Sequence, residues 1–267
     1  MRVLSLILAL ALSAGAQTAP AAAPGNPPAD ENSQKARALL NQAIEALGGQ
    51  AYLNYQDMQQ QGRTYLFYHG QPEGGGTEFW LFWKAPDKER IELTKKRDVI
   101  YIHNGDKGYE ITYKGTRAEE EKDLKDYLQQ REFSLTNVLR RWSRDPAVAL
   151  FYEGGAFAEN KPAEQISLIN GNNQGVTLLL DSQTHLPVRK SYRVRDPETR
   201  ERDEEAEVYA NYHLVQGIQV PYDITRLHDG EMLRQRFIER VSYNNNLRDS
   251  LFAASVTYTT GERTKHK

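Results

Sequence analysis

Residues 63–114 hold five short segments of β-branched and aromatic character, at 63–68, 78–84, 89–95, 98–103 and 108–114. The turns between them leave no choice of topology. His69-Gly70, Gly74-Gly75-Gly76, Ala85-Pro86-Asp87 and Asn104-Gly105-Asp106 are too short for a parallel crossover, which takes about a dozen residues. The neighbours must therefore be antiparallel. Strand signals resume at 148–152, 164–170, 176–181, 187–195, 204–214, 219–228 and 232–243, with hairpin signals at Asn170-Gly171-Asn172-Asn173 and His228-Asp229-Gly230. The spacing predicts an antiparallel sheet of about eleven strands.

Two regions carry a different period. Ala36, Leu39, Leu40, Ala43, Ile44 and Leu47 recur at helical spacing, with Asp30, Asn32 and Ser33 as N-caps and Gly48-Gly49 as a stop. Residues 118–130 are acidic and helix-favouring, and Leu135, Val138, Leu139 and Trp142 follow a Ser134 cap up to Asp145-Pro146. An α+β fold is expected, as one domain over residues 33–253.

The ends read differently. Arg2, an apolar run over residues 3–12 and Ala14-Gly15-Ala16 predict a secretory signal at residues 1–16, too short for a membrane span of about 20 residues. Residues 17–32, rich in Ala and Pro, are expected as a mobile leader, and 254–267 as a polar tail. An exported protein, soluble after cleavage, is implied. Among 267 residues there is no cysteine, which excludes disulfides, thiolate metal sites and lipidation at cysteine. A formal charge of −2 offers no basis for general nucleic-acid binding.

Strand parity indicates what the sheet covers. Ile91 and Leu93, Tyr109, Ile111 and Tyr113, and Val208, Ala210, Tyr212 and Leu214 each line one face, with polar residues opposite. Residues 78–84 differ, having Phe79, Leu81 and Trp83 on one face and Trp80 and Phe82 on the other. Ordinary core with half-exposed aromatics accounts for this, as does a cavity lined for an apolar ligand.

Two further stretches carry a family resemblance. Leu180-Asp181-Ser182-Gln183-Thr184-His185-Leu186-Pro187-Val188-Arg189 and Tyr209-Ala210-Asn211-Tyr212 through Gly217-Ile218-Gln219-Val220-Pro221-Tyr222 resemble strand–turn–strand segments of the outer-membrane lipoprotein-sorting superfamily, the LolA/LolB-like half-barrels. The likeness spans residues 36–252. It implies a curved antiparallel sheet, a half-barrel whose concave face lies under the N-terminal and mid-chain helices and shelters acyl chains or another apolar guest. It also implies a periplasmic location, and the missing cysteine sets the chain apart from the lipid-anchored LolB type. The lid-holding arginine of the carriers is not assigned to Arg63, although Arg63 lies in the first strand.

No motif points to a reaction. His69, His103, His185, His213, His228 and His266 lack the spacing of a zinc site, and there is no G-x-S-x-G elbow, P-loop or G-x-G-x-x-G. No metal, cofactor or catalytic residue is expected. The charged run over 196–207 reads as a solvated hairpin tip, with calcium as the sharper alternative. Arg234, Arg236 and Arg240 alternate along the last strand, either to meet an anionic head group or to guard a sheet edge. The expectation is a non-catalytic carrier for a lipid, lipoprotein or other hydrophobic ligand, with Phe67, Phe79, Leu81, Trp83 and Tyr101 on the sheet and Leu139 and Trp142 on the lid. The alternative is an envelope sensing or protein-interaction module on the same scaffold, working with a membrane-associated partner protein.

Overall fold

In the computed structural model, whose described residues are 31–195 and 202–259, the apolar stripe winds into α1 (Glu31–Leu47) and is buried along its length. Gly48 and Gly49 end the helix at positive φ. A Cβ on Gly48 would stand 2.3 Å from the Gly217 carbonyl oxygen, so only glycine lets the helix end come this close to the sheet. A short α2 (Gln50–Asn54) leads into β1 (Asp57–Tyr68), β2 (Gln71–Pro72), β3 (Thr77–Lys84), β4 (Lys88–Leu93), β5 (Val99–Asn104), β6 (Lys107–Thr112) and β7 (Gly115–Ala118). The mid-chain insertion is α3 (Glu121–Glu132), α4 (Leu135–Arg140) and a 3₁₀ turn at Trp142–Arg144. Ser134 caps α4 by accepting the Asn137 N–H. Then come β8 (Ala149–Ala158), β9 (Lys161–Ile169), β10 (Gly175–Asp181), β11 (Pro187–Arg195), β12 (Arg202–Val215), β13 (Ile218–His228) and β14 (Glu231–Tyr243).

These strands form one open antiparallel sheet, in the order β7-β6-β5-β4-β3-β1-β14-β13-β12-β11-β10-β9-β8, with β2 paired to β1. The sheet has 14 strands, more than expected. The Gln-rich first half of β1 and the two short strands β2 and β7 give too little apolar alternation to be read from sequence. The two sequence halves meet where β1 pairs with β14. β14 is therefore central, not an edge, and the edge-guarding reading of its arginines falls.

The concave face and the helices share the main core. Leu40, Leu47, Phe79, Val138, Leu139, Ile166, Leu168, Leu178 and Leu180 are all essentially without solvent contact there. Arg140 ties the inserted helices to the N-terminal ones, donating to the carbonyls of Leu53 and Tyr55 at 3.1 and 3.0 Å. Asn32, within the expected leader, belongs instead to α1. Its side chain exchanges both hydrogen bonds with the Tyr152 backbone at 2.7 and 2.8 Å, occupying the edge strand β8.

A second, smaller core lies on the convex face. Phe252, in a 3₁₀ turn at Asp249–Phe252, packs with Leu247 on Ile102, beside Phe82, Ile100, Tyr109 and Ile111. Buried Asp57 fastens this segment by accepting the N–H groups of Asn245 and Leu247 at 2.6 and 3.0 Å. Past Ala253, Thr257 still donates its N–H to the Thr116 carbonyl, at 2.9 Å. Residues 1–16, the leader up to residue 30 and the hairpin tip at 196–201 lie outside the described residues.

Candidate functional site

Cross-strand partners share a face, so register assigns the concave surface residue by residue. The partnerships Gly62–Phe79, Gln60–Leu81 and Met58–Trp83 continue into Leu93, Ile91 and Glu89 on β4, then Val99, Tyr101 and His103 on β5. Phe79, Leu81, Leu139 and Trp142 meet in the main core, and Trp83 packs against it half-buried. Tyr101 shares the face but stands apart from that core. Burial raises its pKa, and nearby Glu110 and Glu119 push the same way. Phe67, odd in parity to Thr64 and Leu66, lies on the convex face beside Pro72.

The apolar hollow expected beneath the helices is filled. Phe79 and Leu139 retain no exposure, Trp142 is 2% exposed, and Phe133 bridges Trp142 to Tyr192, on which it stacks at 4.2 Å. The protein's own side chains occupy the space a guest would take. Two open concavities among the described residues lie elsewhere. One, of about 500 Å³, is lined by Trp80, Phe82, Tyr222 and Arg240; the other, of about 430 Å³, lies by Tyr113 and Arg117.

The opposite end of the concave face is charged. Along one cross-strand row stand Arg234, Arg226, Glu207 and Lys190, followed by Leu178. Lys190, 2% exposed, donates to Glu207 at 2.7 Å, and the Tyr209 hydroxyl donates to the same carboxylate at 2.6 Å. Burial alone would raise the Glu207 pKa, but the Lys190 charge and these hydrogen bonds hold it at about 2. In the adjacent row Glu205 accepts from Arg226 at 2.8 Å and contacts His228 Nδ1 at 2.7 Å. These glutamates belong to the sheet interior, not to a solvated tip.

The face assignment of β12 inverts over residues 205–210, whereas Tyr212 packs against the main core. Glu205 and Tyr209 are buried, whereas Ala210 is exposed and Leu214 is 67% exposed. Asn211, at positive φ, interrupts the pairing there without shifting its register. A bulge between Gln61 and Gly62 similarly leaves Glu239 unpaired, so Arg240 turns to the convex face while Arg234 and Arg236 stay on the concave one.

α3 lies against the β5 end of the sheet and has no fully buried residue. Its attachments are few and mostly polar. Tyr127 stacks on His103 at 3.3 Å, Arg131 donates to the Gly105 carbonyl at 2.6 Å, and Glu119, just before the helix, meets His103 Nε2 at 2.8 Å. Burial pushes the Glu89 carboxyl up, against the pull of His103, Arg236, Arg234 and Arg131. Arg63 pairs with Glu78 on the outer face at 3.2 Å and touches no helix. Among the described residues no group of three or more His, Asp and Glu is placed to hold a metal ion, and no helix is long and apolar enough to cross a membrane.

No family model matches the sequence, and no curated protein does. Solved structures do match. A DUF1329 family protein from Desulfovibrio piger superposes with a TM-score of 0.56 at 12% identity, over 82% of this chain and 97% of that one. A LolA superfamily protein from Nitrosomonas europaea gives 0.52 at 11% identity, over 82% and 97%. A protein described as an outer membrane lipoprotein-sorting domain, from Vibrio parahaemolyticus, gives 0.52 at 8% identity, over 83% and 97%. The chain has the LolA-type fold.

Proposed function

We propose that this LolA-type half-barrel is a non-catalytic, periplasmic carrier for a lipid, lipoprotein or similar amphiphile, captured here in its closed form. The observation that carries the reading is α3, a helix with no fully buried residue that is held to the sheet through His103 and the Gly105 carbonyl rather than by the apolar core. Opening it costs little. One aromatic stack is worth about 1 kcal/mol, and each partly exposed hydrogen bond about the same. An acyl chain that removes a few hundred Å² from water gains several kcal/mol at ~25 cal/mol per Å². Binding thus supplies enough to lift α3, while the core beneath α1 and α4 stays packed. Titration with a fluorescent fatty acid should give saturable uptake, and native mass spectrometry of protein from its own envelope should find a bound amphiphile. Empty spectra together with no uptake would overturn the reading.

A protein-interaction module has one observation in its favour, the open groove lined by Trp80, Phe82 and Tyr222 on a face that α3 does not cover. A single protein partner that survives detergent and is lost on Trp80→Ala would support it.

A further inference from the structure

We propose that Arg234 and Arg236, with the Thr64 hydroxyl, form an anion-recognition site on the concave face that takes the phosphate head group of an amphiphile. This deepens the carrier reading and rests on it for the apolar half of the ligand. The two arginines are two residues apart on β14, so their Cα atoms are about 7 Å apart and both side chains project from the same face. Arg226, the cross-strand partner of Arg234, adds a third guanidinium.

Their partners differ. Arg226 is neutralised by Glu205, and Lys190 by Glu207. Arg234 and Arg236 make no ion pair or hydrogen bond to any described residue. The Arg236 Nε is buried without an acceptor, and so is the Thr64 Oγ1 on the cross-strand partner of Arg236. The Arg236 guanidinium lies over the Phe79 ring at 4.9 Å, which closes one of its faces and leaves its N–H edge for a ligand. Burial and repulsion from neighbouring arginines disfavour the charge on Arg234, and burial disfavours that on Arg236, while Glu89 and Glu207, close by but not in contact, compensate both only in part. Buried donors without acceptors are costly, and a native fold satisfies nearly all of them.

A ligand that satisfies Arg236 Nε and Thr64 Oγ1 brings acceptor oxygens, and negative charge on it completes what Glu89 and Glu207 supply only in part. The Nε/Nη edge of an arginine binds two oxygens of one oxyanion side by side. Phosphate offers enough oxygens for two guanidiniums and a hydroxyl together. The site also adjoins the apolar floor, since Phe79 is at once the ring beneath Arg236 and part of the main core. A head group at Arg236 therefore directs an attached chain past Phe79 towards the next cross-strand row, Leu81 and Ile91.

Isothermal titration of the full chain with dodecyl phosphate, dodecyl maltoside and inorganic phosphate tests this. Dodecyl phosphate should bind about tenfold or more tighter than the maltoside, from the strength of hydrogen bonds to charged groups. Arg234→Gln with Arg236→Gln should erase that preference and leave maltoside binding unchanged. Because the arginines lack partners in the free protein, this variant should unfold no earlier than the wild type; a Tm lowered by several degrees would mark them as structural and overturn the site. Equal binding of the two amphiphiles overturns the anion site and leaves the carrier standing. Binding of inorganic phosphate alone, lost in the variant, supports the site and removes the carrier. No binding of any probe overturns both.

Discussion

Lys190→Met removes a buried ammonium from beside a carboxylate that the sheet has largely, though not wholly, taken out of water. Lys190 is 2% exposed, and its partner Glu207 stands opposite it at 2.7 Å. Losing one member of a buried pair costs about 3–5 kcal/mol, because the charge left behind keeps its desolvation penalty and loses its compensation. The Tyr209 hydroxyl still donates to Glu207, which places the expected loss near the lower figure. Acid should narrow the difference. In the wild type Glu207 titrates at about 2, against an ordinary 4.5. A depressed carboxylate contributes stability that is complete above about 4.5 and lost as pH falls towards 2, worth roughly 3 kcal/mol at most. In Lys190→Met burial, Tyr209 and the more distant Arg234 charge remain, the Glu207 pKa rises, and protonation relieves the variant on the same descent. Urea unfolding followed by circular dichroism, near neutrality and at about pH 4, measures both effects. Adding Glu207→Gln to Lys190→Met should recover most of the loss, since Gln still accepts from Tyr209. If Lys190→Met stays within about 1 kcal/mol of wild type at neutral pH, the pair is solvated and the buried charged row does not exist as described.

Three other substitutions probe separate parts of the structure. Leu139→Ala should cost about 2–5 kcal/mol in urea unfolding, because the residue has no exposure and its neighbours fill the space around it; a loss below 1 kcal/mol would reveal slack beneath the helices. Asp57→Ala should cost about 2–3 kcal/mol and speed amide exchange at Asn245 and Leu247, the two N–H groups its carboxylate accepts. Tyr127→Ala should loosen α3 and make uptake of a fluorescent fatty acid faster while Tm changes little, since the Tyr127 stack on His103 holds a helix with no buried residue; unchanged kinetics would mean that α3 is not the moving part.

How much of this could be read from sequence differs by element. The α1 stripe was legible because period and burial coincide at Ala36, Leu39, Leu40, Ala43, Ile44 and Leu47. The meander was legible because its turns admit only antiparallel pairing. The charged end of the concave face was not. Glu205 and Glu207 look like solvated residues until Arg226 and Lys190, from strands on either side, are set against them, and nothing local to β12 announces those partners. Bulges added a second obstacle. At Glu239 one unpaired residue changes which face Arg240 shares with Arg236, and strict alternation cannot register it. Filling of the hollow was beyond sequence as well, since Trp142 reads as part of a lid until Phe133 is seen packed between it and Tyr192.

The concave face thus carries two surfaces with opposite energetics. Beneath α1 and α4 it is closed apolar core, where every Å² is already removed from water and a guest would have to displace packed side chains. Away from that core it carries the charged row, where Arg236 Nε and Thr64 Oγ1 are buried without a partner, and α3, attached near His103, has no fully buried residue of its own. A ligand gains most where the protein has left interactions unmade. Uptake should therefore begin at the α3 end, and substitutions in the α1 stripe should change stability without changing ligand preference. Ile44→Val checks this: about 1 kcal/mol lost in unfolding, with the ratio of dodecyl phosphate to dodecyl maltoside affinity unmoved. A shift in that ratio would place the guest under α1 instead.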